Sequence, residues 1–126
     1  MVDIQKQITY WRSGAVEDWE VGGELVNTGR PRHGLYFAHL AIEKALKAHV
    51  CRSTQDMAPK LHSLLRLVEQ TDLEVARQQR EFLARFDRYQ VEGRYHDPVL
   101  APITIEAARR ELSEAKEIFE WLIRQL

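Results

Sequence analysis

The chain has 126 residues, 18 lysines plus arginines, 19 aspartates plus glutamates and a formal net charge of −1. At 44% apolar residues it can bury a core without disulfides or metals. Neutrality disfavours a broad basic nucleic-acid surface, the single cysteine rules out an internal disulfide, and no apolar run approaches the roughly 20 residues of a membrane span. No early stretch resembles a secretory signal, so the expectation is a single domain over 1–126, cytoplasmic and off the membrane.

Helical spacing runs through the whole chain, and no strand-like alternation interrupts it. Ile4, Ile8, Trp11, Ala15, Trp19, Gly22 and Val26 step along one face of a first helix, with Asp3 as its N-cap. Gly22 lies on that face, where a missing side chain lets another helix come close, and Gly23 beside it only weakens the helix. Asn27 to Pro31 reads as a stop and turn. A second helix runs from Pro31 or Gly34 to Cys51 and is apolar nearly all round, as the central helix of a bundle would be. Its polar exceptions, His39, Glu43 and Lys47, fall four residues apart on one stripe.

Residues 52–60 form a loop, and Leu61, Leu64, Leu65 and Val68 mark a short helix. Thr71-Asp72-Leu73-Glu74 has the spacing of a capping box opening the next helix, which Gly93 closes. Val75, Phe82, Leu83, Phe86 and Tyr89 share one arc of it, and Arg77, Arg80, Arg85 and Arg88 the other. Two prolines keep 93–103 out of helix, and the last helix starts near Thr104 with Ile105, Ala108, Leu112, Ala115, Phe119, Leu122 and Leu126 on its face. The fold class is all-α: five helices in a mostly antiparallel, up-and-down bundle.

Three pieces resemble one family. Residues 38–48 (Ala-His-Leu-Ala-Ile-Glu-Lys-Ala-Leu-Lys-Ala), 62–67 (His-Ser-Leu-Leu-Arg-Leu) and 91–97 (Val-Glu-Gly-Arg-Tyr-His-Asp) are similar, in this order, to the signatures of bacterial and archaeal HEPN domains. Leu61 stands where the family usually has threonine, and His96 where it usually has proline. The resemblance implies an up-and-down helical bundle, a homodimer, a minimal nucleotidyltransferase as partner, and in several branches a toxin–antitoxin setting or RNA cleavage.

The ribonuclease branches use an arginine, four to six residues and a histidine. Arginine neutralises a phosphate while histidine moves a proton. Here Arg94 is followed by His96 with one residue between, and no later histidine exists. Arg32 and His39 match the spacing, but they enter the second helix, and such matches arise by chance.

Arg94, Tyr95 and His96 therefore form the surface candidate. Arg94 would bind charge, Tyr95 would offer a stacking face, and His96 would titrate near neutrality. The competing reading is a structural corner. His39, Glu43 and Lys47 are either groove-lining ligand contacts or an internal ion pair with a satisfied histidine. His39 and His62 lack a third metal ligand at plausible spacing, so no metal is expected, nor any cofactor. The arginine arc reads as a solvated face, and Cys51 as a buried bystander. The leading expectation is a dimeric nucleotide- or RNA-binding interaction module acting with a nucleotidyltransferase. The alternatives are a metal-independent ribonuclease using Arg94 and His96, and a structural dimer without ligand.

Overall fold

The structure, a computed structural model, describes residues 2–94 and 102–126, with backbone alone for 92–94. Its described residues contain six helical segments and no strand: α1 (Ile4–Asn27), α2 (Pro31–Thr54), α3 (Leu64–Val68), α4 (Arg77–Phe86), α5 (Arg88–Arg94) and α6 (Ile105–Arg124). These are the five expected helices, the fourth divided at Asp87.

Helix α1 starts where Asp3 accepts the Lys6 backbone N–H at 3.1 Å. It ends where the Thr28 hydroxyl donates to the Glu24 carbonyl oxygen at 2.8 Å and Gly29 turns the chain at φ 89°. The turn returns the chain as α2, antiparallel to α1: Gly22 lies against Gly34 and Ala38, Asp18 pairs with Lys44, and Trp11 faces Lys47. The approach is close because Gly22 has no side chain; a Cβ there would stand 2.8 Å from the Gly34 carbonyl oxygen. At Gly23 a Cβ would meet nothing within 4 Å.

Helix α2 is the centre of the bundle. Leu35, Ala38, Ala41, Ile42, Ala45, Leu46, Ala48 and Cys51 are fully buried on several sides of it. It runs three residues past the expected end at Cys51, to Thr54, and Gln55 closes it in the left-handed region at φ 55°. Helix α6 starts where expected, with Thr104 as its N-cap, and runs antiparallel to α1, where Trp19 stacks on Phe119 at 4.7 Å. It runs parallel to α2, joined by His49 to Leu122 and by Arg52 to Gln125. Leu112, placed on the core face by periodicity, is only half-buried, whereas Leu122 is enclosed.

The capping box expected at Thr71 is not formed. The Thr71 hydroxyl instead donates to the Val68 carbonyl oxygen at 2.7 Å and accepts from Leu73 N–H, so it closes α3. Helix begins only at Arg77, where Gln79 Oε1 accepts the Ala76 N–H at 2.8 Å. Gly93 is not a cap either, since α5 continues through it to Arg94.

Two measurements check this packing. Gly22→Leu should lower stability by at least the ~1–3 kcal/mol of an overpacked core, while Gly23→Ala should leave it unchanged or raise it by about 0.4–1 kcal/mol, both read from urea unfolding. By the same assay Leu122→Ala should cost about 2–5 kcal/mol and Leu112→Ala distinctly less.

Candidate functional site

The three polar residues of the α2 stripe are buried: His39, Glu43 and Lys47 are 1%, 3% and 6% exposed. Groups so enclosed need partners inside the protein. Lys47 Nζ donates to Glu43 Oε2 at 3.1 Å and stands 5.2 Å from the centre of the Trp11 ring. Glu43 also receives His62, whose Nδ1 lies 3.2 Å from Oε2 and 3.4 Å from Oε1. A carboxylate only accepts, so this contact places the proton on His62 Nδ1.

One turn earlier, His39 Nε2 donates to Asp87 Oδ1 at 2.9 Å, and its ring stacks on Phe86. Asp87 also accepts the Leu64 N–H at 3.1 Å and the Ser63 hydroxyl at 3.3 Å. One carboxylate at the α4–α5 junction thus fastens α2 to the start of α3. His39 Nδ1 is buried without a hydrogen bond, 3.9 Å from Glu43 Oε1. The cluster is therefore a chain of contacts, Lys47 to Glu43 to His62 and, beside it, His39 to Asp87, with His62 as its most exposed ring.

Sequence periodicity brings out His39, Glu43 and Lys47 together, and the structure joins them. His62 stands out as a family-like residue, but its contact with Glu43 crosses between elements and has no local signature. Asp87 is missed; the available signal is an acid flanking the apolar arc beside Leu83. Arg94 ends α5, seven residues after Asp87 or about 10 Å along the helix, and α5 packs on α2. Tyr95 and His96 lie outside the described residues. Arg32 and His39 lie on the same helix, with His39 turned into the core. No group of three or more His, Cys, Asp or Glu is placed to hold a metal among the described residues.

The remaining candidates have structural explanations. Arg85 binds Glu114 at 3.0 Å and Glu111 at 3.2 Å, and these contacts raise its pKa; Arg77 pairs with Glu81, and Arg80 reaches the Val75 carbonyl oxygen. Burial pushes the Cys51 thiol up, away from the reactive thiolate. His49, buried in α2, donates from Nε2 to the Leu122 carbonyl oxygen at 2.9 Å, and desolvation lowers its pKa from the ordinary 6.5.

Compared with known proteins, residues 8–126 match the family model of the HEPN domain. The crystal structure of TT1696 from Thermus thermophilus is similar at TM-score 0.81 and 23% identity, covering 95% of this chain and 98% of that one. That likeness concerns the fold. No curated protein matches.

The buried contacts make two further expectations measurable. Glu43→Leu strands a buried lysine and should cost about 3–5 kcal/mol, whereas Glu43→Leu with Lys47→Met should recover most of the loss in chemical denaturation. Because the folded state resists protonation of His49 and the unfolded state accepts it near 6.5, stability should fall as pH drops below that value and stay level above it. His49→Gln keeps an N–H donor without the titration, so urea midpoints between about pH 7.5 and 5 should slope less for it than for the native chain.

Proposed function

The chain belongs to the HEPN family, and from that premise we propose that it is a nucleotide- or RNA-binding interaction module, working as a homodimer beside a minimal nucleotidyltransferase. One observation carries the reading. One stripe of an enclosed helix holds three buried polar side chains that add desolvation cost, and the contacts of Glu43 lead to a half-exposed histidine on the surface. An arrangement of that kind suits a small ligand site better than it suits stability.

The electrostatics favour a compact ligand. Arg77 and Arg85 are engaged by glutamates and Arg80 by a backbone carbonyl, so the arginine face offers no open track for a long phosphate backbone. Arg94, on the helix that begins beside Asp87, is the residue we assign to phosphate, with Tyr95 as the stacking face. The Arg94–His96 spacing differs from the family's ribonuclease motif, which ranks binding ahead of RNA cleavage.

Isothermal titration with adenosine 5′-monophosphate and a short RNA tests the binding. Arg94→Ala should weaken affinity about tenfold or more, as loss of one charge-assisted contact would, without changing the thermal midpoint. Light scattering should give the mass of a dimer, and pull-down from the native host should return a nucleotidyltransferase. A monomer that binds neither ligand and returns no such partner would overturn the proposal.

A further inference from the structure

His62 differs from every other member of its cluster. Its side chain is 47% exposed, against 4% for Glu43 and 8% for Lys47. Yet its ring has a partner inside the protein. Glu43 takes Nδ1 through both carboxylate oxygens, and Lys47 braces the same carboxylate from within α2. The backbone that carries the ring is fixed too. The Ser63 hydroxyl accepts the Arg66 N–H and donates to Asp87 Oδ2, while the Leu64 N–H donates to Asp87 Oδ1. A surface histidine is thereby pinned at the ring and at the two residues after it. Preorganisation of this kind is what a binding site needs and what a solvated side chain does not.

The hydrogen-bond inventory defines what the ring can do. With its proton on Nδ1, neutral imidazole presents Nε2 as a lone-pair acceptor. Nε2 has no hydrogen-bond partner among the described residues. An acceptor on a fixed ring fits a hydroxyl donor and disfavours direct contact with a phosphate oxygen, which is itself an acceptor. Glu43 and Lys47 lie behind the ring and are too enclosed to meet a ligand themselves.

We infer that His62 is the ligand-contacting residue of this cluster, accepting a hydrogen bond at Nε2 from a ribose hydroxyl of a nucleotide, with Glu43 and Lys47 as its positioning residues. The identity of the hydroxyl rests on the nucleotide-binding reading above; the fixed tautomer does not.

Nuclear magnetic resonance of the full chain, with ring ¹⁵N shifts assigned for His62, tests both parts. Expected are the Nδ1–H tautomer, a shift of Nε2 on adding adenosine 5′-monophosphate, and about tenfold weaker binding of its 2′,3′-dideoxy counterpart. His62→Asn keeps an N–H for Glu43 but removes Nε2. It should hold the thermal midpoint, lose the same factor in affinity, and no longer distinguish the two nucleotides. An Nε2–H tautomer overturns the inference whatever binds. Binding that ignores both the ribose hydroxyls and His62→Asn overturns it while leaving the proposed function standing. No binding of the nucleotide or of a short RNA to the native chain overturns the proposed function and this inference together.

Discussion

Helix α2 is enclosed on nearly every side, so its buried polar groups must look to the protein rather than to water for partners. That constraint organises the rest. Where α2 faces α1, the solution is close contact: Gly22 against Gly34 leaves room for backbone alone. Where it faces α6, His49 finds the Leu122 carbonyl oxygen at the end of that helix. Where it faces the shorter helices, the His39–Glu43–Lys47 stripe would be a costly defect if left alone, and it is answered by Asp87 and His62. The polar cluster is the means by which α3 and the α4–α5 pair are seated on the central helix.

What could be read in the sequence follows the range of the forces involved. The faces of α1 and α6 were legible because a long helix repeats its apolar residues often enough to fix its orientation. Asp3 was legible as a cap because a cap acts across three residues, and the start of α6 was legible near Thr104, which the structure shows to be its cap. Thr71 had the same local pattern and failed as a cap. Its hydroxyl is committed to the helix before it, and Gln79 supplies the reciprocal contact at the true start of α4. Two local solutions compete there, and tertiary placement of the short α3 decides between them. The division at Asp87 was not legible either. Asp87 retains right-handed dihedrals, φ −58° and ψ −22°, and its significance lies in partners 23 to 48 positions away in the chain.

The candidate site divides along the same line. The stripe on α2 was visible because its members are neighbours by helical spacing. Its exit to the surface was not, because Glu43 and His62 sit on different elements and come together only when the loop after α2 folds back. Arg94 was visible only as part of a family-like string, and its relation to the stripe comes from α5 beginning beside Asp87. An apolar position announces itself through repetition, whereas one well-placed carboxylate does not.

Apolar and polar contacts divide the work of placing the α3–α5 region. Phe82, Leu83 and Phe86 supply burial, which is large but non-directional and would tolerate several tilts of the helix on α2. Asp87 adds three directional contacts, to His39, Ser63 and Leu64, at a point where the helical ladder is already interrupted. Bonds of defined length and angle select one tilt from those that burial permits. The start of α5, and through it the position of Arg94, is then set by a carboxylate whose neighbour in the same cluster sets the ring of His62. The two residues assigned to ligand are on different elements, yet both are referred to α2 through adjacent side chains, His39 and Glu43. A common reference of this kind would keep the two proposed contacts in register.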